Sequence, residues 1–293
     1  ELSTPEWLAP DWLLARWRAA YGEAEALKIA AVIAQEPATD LSLRDPATAT
    51  TLAEPLEGEI LPGGTLRTSR RGDLATWPGF AEGAWWVQDA SAAVAARLLE
   101  PAPGQQVLDL CAAPGGKTLQ LAAAGAEVTA VDRSAARLKR LTENMTRMGL
   151  SVRTVAADGA TWRGGPFDAV LLDAPCSSTG TFRRHPDVLW AARPGDIAAL
   201  ATTQAGLLSA AADMVAPHGR LVYCVCSLEP EEGEAQIEAF LKARPDFAIE
   251  PMTPGEGGAP EASLRPNGTL RILPHHRSGG TDGFYIARLE RRA

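Results

Sequence analysis

The chain has 293 residues, of which 46% are hydrophobic, and its formal net charge at pH 7 is −8. That length allows one large domain or two, and the sequence has no apolar run of about 18 or more residues that would predict a transmembrane helix. The net negative charge disfavours a general polyanion binder, because nucleic-acid affinity depends largely on Lys and Arg facing phosphates.

The few cysteines predict a reducing, cytoplasmic location. Four cysteines in a chain of this length, Cys111, Cys176, Cys224 and Cys226, do not form a disulfide framework. No signal-peptide pattern follows Glu1. Because the first residue is not Met, we expect that an upstream segment was trimmed or left out.

The first part of the chain predicts a small module. Apolar spacing predicts one helix that begins near Pro10 and ends before Gly22, and a second over 23–35. From 39 to 80, short apolar runs alternate with Pro, Gly and Thr, which is typical of short strands and turns. We therefore predict a small α+β module over 1–79 and a second domain over 80–293.

From Gln106 onward the pattern predicts alternating strands and helices, and therefore an α/β fold. Such alternation implies a mostly parallel sheet, here of seven strands, with helices on both faces. The predicted strands are 106–111, 127–131, 152–157, 167–173, 219–225, 246–250 and 283–289. The predicted helices are 90–99, 116–124, 134–148, 196–216 and 230–243. Residues 253–281 are expected to form a long loop with little regular structure.

The first of these strands leads into a glycine turn and a helix. Ala112, Ala113, Pro114, Gly115 and Gly116 cannot continue a strand, and paired glycines allow close approach to a ligand. The spacing does not fit a dinucleotide fingerprint, and a P-loop would need a glycine at Cys111. A turn that binds S-adenosylmethionine, as in class I methyltransferases, and an ordinary strand–helix turn without a ligand remain open.

Acidic residues recur at the carboxyl ends of the predicted strands, where ligands bind in open α/β sheets. They are Asp109, Asp132, Asp158 and Asp173. Asp132 is placed to accept from ribose hydroxyls, and Asp158 from an adenine amino group. A single such Asp is often only a helix cap, but several along one edge favour an adenosine-bearing cofactor.

Two cysteines, Cys176 and Cys226, follow neighbouring strands and should face the same edge. Zinc is disfavoured, and no metal site is expected, because the alternating spacing of Cys224 and Cys226 lets only one of them point to a given side. Cys111 and Cys224 are interpreted as structural cysteines.

Cysteines at this edge suit an addition to cytosine. A thiolate that adds to carbon 6 of the base would make carbon 5 nucleophilic toward a methyl sulfonium. Lys117 would lower the pKa of the thiol, and Asp173 would hold the amino edge of the base.

Taken together, these motifs closely resemble the Sun-type RNA cytosine-5 methyltransferases, RsmB branch. The resemblance rests on CAAPGGKT, DAPCSSTG, YCVCSLEPEE and TDGFY, which begin at Cys111, Asp173, Tyr223 and Thr281. It implies a Rossmann-like methyltransferase domain behind an RNA-binding-type module. It also implies that S-adenosyl-L-methionine binds at Cys111–Lys117, Asp132, Asp158 and Asp173, that Cys226 is the nucleophile, and that Cys176 assists release. Cys224 stands where Ser is more usual, which we read as incidental.

The leading hypothesis is a monomeric enzyme that makes 5-methylcytosine in RNA, in small-subunit (16S) ribosomal RNA by resemblance. Transfer RNA as the substrate and a non-catalytic ribosome-assembly binder remain alternatives. Single-stranded or loop RNA is the expected partner, since the base must leave any stack to reach a cysteine. Candidate phosphate contacts are Arg183, Arg184 and the basic run Arg67–Arg71.

Overall fold

The structure, a computed structural model, describes residues 5–293. Nine α-helices lie in this range: α1 Asp11–Tyr21, α2 Glu23–Ala31, α3 Ala49–Ala53, α4 Ala90–Leu99, α5 Gly116–Ala123, α6 Ala135–Met148, α7 Val188–Ala191, α8 Pro194–Asp213 and α9 Glu234–Ala243. Twelve strands lie in the same range: β1 Thr39–Leu43, β2 Gly58–Ile60, β3 Leu66–Thr68, β4 Trp85–Val87, β5 Gln106–Leu110, β6 Glu127–Asp132, β7 Arg153–Ala156, β8 Phe167–Asp173, β9 Val215–Val225, β10 Phe247–Ile249, β11 Leu270–Ile272 and β12 Phe284–Arg291.

The larger sheet confirms the predicted α/β fold. Its strand order is β10-β12-β9-β8-β5-β6-β7, and β11 pairs with β12 outside this path. The pairs among β5 to β9 are parallel, whereas β12 is antiparallel to β9, β10 and β11. The described sheet therefore has eight strands rather than seven. The eighth, β11, lies in the predicted loop 253–281, where a run of only three residues gives too weak a pattern to detect.

Both faces of this sheet are buried, as a parallel sheet requires. Successive side chains of a strand point to opposite faces. Leu108 and Leu110 accordingly pack with α8, whereas Val107 packs with α4 and α5. The strand interiors are apolar, and polar side chains lie near the strand ends. The carboxyl ends of β5, β6, β8 and β9 lie along one edge of the sheet.

A smaller sheet precedes this domain, in the order β2-β3-β1-β4. It extends past residue 79, because β4 pairs with β1. The buried carboxylate of Asp40 accepts from the Arg67 guanidinium at 2.7 Å and from the backbone N–H of Ala90, the first residue of α4, at 2.9 Å. The first four residues of the module predicted over 1–79 lie outside the described residues, and the division at residue 79 stays a prediction.

The first two helices pack on the larger domain rather than on the smaller sheet. Trp17 of α1 and Ile29 of α2 share a buried cluster with Phe182, Leu189 and Leu228. Of the helices between residues 5 and 293, none combines the length and the apolar character needed to cross a membrane.

Candidate active site

The glycine turn joins β5 to α5 and lines a cleft at the sheet edge. Gly115 has φ of 107°, and a Cβ built on it would lie 2.7 Å from Cγ of Leu141, so only glycine fits there. Five residues of the turn line a cavity of about 420 Å³ together with Asp109, Lys117, Asp173 and Cys226; the five are Ala112, Ala113, Pro114, Gly115 and Gly116. The glycine turn and the reactive side chains therefore share one space.

A second cavity, of about 270 Å³, lies beside the same turn and contains Cys111, Asp132 and Asp158. The buried Asp132 carboxylate accepts from the backbone N–H groups of Ser134 at 2.8 Å and Ala113 at 3.1 Å, which fixes the turn against the end of β6. Asp158 is exposed and accepts from the N–H of Ala160 at 2.9 Å. The predicted row of carboxylates is thus divided between two cavities beside one turn.

Asp109 is fully buried in the wall of the larger cavity. The Thr118 hydroxyl lies 2.6 Å from its Oδ2, while its Oδ1 is buried with no hydrogen-bond partner among the described residues. Burial raises the pKa of Asp109 to about 7.

Asp173 is held from two sides. The Lys117 ammonium donates to its Oδ2 at 2.6 Å, and the Cys224 thiol donates to its Oδ1 at 3.3 Å. Although burial alone would lower the pKa of Lys117, the charge of Asp173 keeps it above its usual value. Asp173 and Cys224 lie opposite each other in the β8–β9 register. Cys224 is fully buried in an apolar cluster, which fits the structural interpretation, and its thiol also contacts a carboxylate of the site.

The sulfurs of Cys176 and Cys226 lie 3.5 Å apart, although 50 residues separate them in the sequence. The Ser178 hydroxyl lies 3.7 Å from Cys226 Sγ, and the backbone N–H of Gly180 donates to the Cys226 carbonyl at 3.0 Å. The hydrogen bond between the two sulfurs lowers the pKa of Cys226 and raises that of Cys176. The two thiols therefore form one hydrogen-bonded pair at the end of β9.

Sequence reasoning missed a buried carboxylate next to this pair, that of Glu232. It accepts hydrogen bonds from both cysteine loops, and none of its atoms reaches solvent. The motif YCVCSLEPEE contained the residue, but a single Glu in a motif does not indicate where its side chain points.

The prediction that Arg183 contacts phosphate was wrong. Its side chain is 1% exposed and pairs with Asp89 at 2.6 Å. Arg184 pairs with Asp282 but still lines the cavity that contains Cys226. These four residues tie the segment before α4 to the loops that follow β8 and precede β12.

The basic run Arg67–Arg71 also departs, at Arg67, from the prediction of a phosphate-binding patch. Arg67 is buried against Asp40, Arg71 pairs with Glu36 at 2.8 Å, and Arg70 lies 3.4 Å from Glu57. Only Arg67 is buried, so the phosphate contact of the partly exposed Arg70 and Arg71 stays a prediction.

One group of possible metal ligands lies among the described residues: Glu25, His275 and His276. Glu25 accepts from Lys28 at 2.7 Å and lies 2.7 Å from His275 Nε2, while His276 Nδ1 accepts from the N–H of Leu273 at 3.3 Å. These contacts account for the group as a hydrogen-bonded cluster.

The chain is similar to known methyltransferases over most of its length. The profile of the 16S rRNA methyltransferase RsmB/F family matches residues 96–290. A relative in Synechocystis, described as a probable ribosomal RNA small subunit methyltransferase B, is 38% identical over 96% of this chain. The ribosomal RNA small subunit methyltransferase B of Pseudomonas syringae is 47% identical over 74% of it.

The solved structure of the protein PH0851 has a TM-score of 0.86 with 32% identity, and covers 98% of this chain and 67% of its own. The chain spans 66% of the Synechocystis relative and 49% of the Pseudomonas relative. It is thus similar to about half to two thirds of these longer proteins.

Proposed function

Because this chain belongs to the 16S rRNA methyltransferase RsmB/F family, we propose that it methylates carbon 5 of a cytidine in small-subunit ribosomal RNA. The methyl donor would be S-adenosyl-L-methionine, which supplies an electrophilic methyl group on a sulfonium. The contact between Cys176 and Cys226 in the cleft of the glycine turn is the observation that carries this proposal.

The residues beside the glycine turn fit this donor. Its ammonium group matches the unpartnered Oδ1 of Asp109, a buried carboxylate oxygen that lacks a cation. Asp132 keeps lone pairs for the ribose hydroxyls beyond its two backbone bonds, and Asp158 offers an acceptor to the adenine amino group. The segment from Cys111 to Lys117 supplies backbone that can closely approach the bound methyl donor.

Cys226 would act as the nucleophile. Its thiolate adds to carbon 6 of the cytosine, a new C–S bond forms, and the electron pair of the C5–C6 double bond moves so that carbon 5 becomes nucleophilic. The Cys176 hydrogen bond and the nearby Lys117 ammonium both lower the pKa of Cys226, which favours the reactive anion. Positioning then contributes most of the remaining rate enhancement.

Asp173 would hold the base. One of its oxygens accepts from Lys117 and the other from Cys224, so the carboxylate is fixed before a base arrives. A carboxylate in this position accepts from the exocyclic amino group of cytosine, which uracil lacks. This preference separates cytidine from uridine.

Cys176 would act after methyl transfer. After Cys176 has given its own proton to solvent, its thiolate would take the proton from carbon 5. The electron pair of that C–H bond re-forms the C5–C6 double bond, and the C–S bond breaks to release Cys226 as a thiolate. Cys176 lies beside the Cys226 sulfur, where it can reach the adduct. This step frees the enzyme for another turnover.

An unmodified 16S rRNA transcript incubated with the full chain and the methyl donor, followed by bisulfite sequencing, tests the proposal. We expect one cytosine to become resistant to conversion, and Cys226→Ala to remove that resistance. Methylation of transfer RNA alone, or retained methylation by the variant, would contradict it.

A further inference from the structure

The Glu232 carboxylate lies between the two cysteine loops. Its Oε1 accepts from the backbone N–H of Ser177 at 2.9 Å and from Gln204 Nε2 at 3.0 Å. Its Oε2 accepts from the hydroxyls of Ser177 and Ser227. Since Ser177 follows Cys176 and Ser227 follows Cys226 directly in the sequence, one carboxylate connects both loops.

We propose that Glu232 is a positioning residue that holds the sulfurs of Cys176 and Cys226 in contact and determines that Cys226 is the one that ionises. The inference rests on the proposed function, because it concerns how the two cysteines divide the reaction. Glu232 acts through the loops and does not itself touch the substrate.

The environment of Glu232 is unusual for a residue that serves stability alone. It is 0% exposed, and within residues 5–293 no Lys, Arg or His forms an ion pair with it. Its four hydrogen-bond donors are all uncharged. A buried charge without a cation is costly, and a neutral amide would form a similar set of bonds. The charge itself therefore calls for an explanation.

The charges around the two sulfurs are unequal. The hydrogen bond to Cys226 and burial raise the pKa of Cys176 most, and the charge of Glu232 raises it further. The hydrogen bond to Cys176 lowers the pKa of Cys226; Asp173 raises that pKa and Lys117 lowers it, and these two groups are paired with each other. The carboxylate near Cys176 thus has no cationic partner among the described residues, whereas the carboxylate near Cys226 has one.

Thiol chemistry on the purified full chain tests this without RNA or methyl donor. Iodoacetamide alkylates thiolates, and mass spectrometry of the peptides gives the alkylation rate of each cysteine. Diamide oxidises two adjacent thiols to a disulfide, taking up their two protons and two electrons, at a rate that depends on the thiolate fraction and on contact between the sulfurs. Disulfide formation is therefore expressed relative to the alkylation rate of Cys226, so that the first readout follows the ionisation and the second follows the geometry.

Three variants separate the two roles. Glu232→Gln keeps the acceptor for Ser177 and Gln204 but removes the charge, so the preference for alkylating Cys226 should fall about tenfold, as one pKa unit implies, with little change in disulfide formation. Glu232→Ala removes both the hydrogen-bond acceptor and the charge. It should also slow disulfide formation about tenfold, because the two sulfurs are no longer held in contact. Glu231→Ala is the matched control, since Glu231 pairs with Arg16 at 2.7 Å instead.

Unchanged alkylation preference in Glu232→Gln, or a wild-type rate of disulfide formation in folded Glu232→Ala, would overturn the inference. The Gln variant keeps the test decisive if the Ala variant does not fold. If wild-type protein fails to methylate RNA while these thiol effects appear, the proposed function fails and the positioning by Glu232 stands.

Discussion

The two cavities beside the glycine turn are built in different ways. In the cavity that contains Asp132, backbone N–H groups hold the polar side chains: Asp132 accepts from Ser134, two residues on, and from Ala113 of the glycine turn, and Asp158 accepts from Ala160. In the cleft that contains Cys226, the contacts join side chains that are far apart in sequence, such as Cys176 and Cys226. The proposed cofactor cavity is thus held by backbone donors, whereas the proposed catalytic cleft depends on contacts between side chains.

The largest expected effect is in the cleft. Cys226→Ala should lower the methylation rate by about a thousandfold or more, because the variant lacks the sulfur that forms the bond to carbon 6 in the proposed mechanism. Tritium transfer from the methyl donor to RNA measures the rate. Cofactor affinity by calorimetry should stay within about twofold; a large loss there would mean that the two cavities are not independent.

Cys176→Ala should trap the enzyme on its substrate. Without the second thiol the step that releases Cys226 slows by about a hundredfold, a typical value for a lost acid–base group. A denaturing gel should then show a slowly migrating protein–RNA adduct. The double variant with Cys226→Ala is the control and should give no band, and absence of the band from the single variant would contradict the release role.

Substitutions in the proposed cofactor cavity should change the dissociation constant of the cofactor more than the methylation rate at saturating cofactor. Asp132→Ala should raise the cofactor dissociation constant by about tenfold to a hundredfold, the range for losing hydrogen bonds to a charged group. Asp158→Ala should raise it less, because Asp158 is exposed. Calorimetry measures both, and equal effects would remove the distinction between the buried and the exposed carboxylate.

Substitution of Asp109 should give the smallest effect, a change in the free energy of unfolding of the protein without cofactor. Its pKa of about 7 in the folded state lies above its unfolded value. Its contribution to stability is therefore full below about pH 4 and is lost as pH rises through 7. Asp109→Asn should stabilise the protein by about 1–3 kcal/mol at pH 8 and hardly at all at pH 4. Thermal unfolding at both pH values measures this, and equal shifts would exclude titration of Asp109 as the cause.

The sequence predicted the fold well because buried parallel strands give strong apolar runs. It predicted the shared edge of Cys176 and Cys226 from the ends of those strands, since topology alone determines that placement. It missed the contact of Cys224 with Asp173 and the position of Glu232, because both depend on side-chain contacts with residues elsewhere in the chain. It misjudged Arg183 and Arg67, because a basic residue gives no sign in the sequence that an aspartate will bury it.

The Asp40 carboxylate has a consequence for how the protein can be divided. It caps the first turn of α4 from the smaller sheet, and Arg67 of the same sheet also donates to the carbonyl of Ser278 at 2.9 Å. A fragment that begins at residue 80 would lose this cap, the partner strand of β4 and a donor to the segment before β12. We therefore expect such a fragment to be less stable than the full chain, and chimeras that exchange both sheets together to keep these contacts.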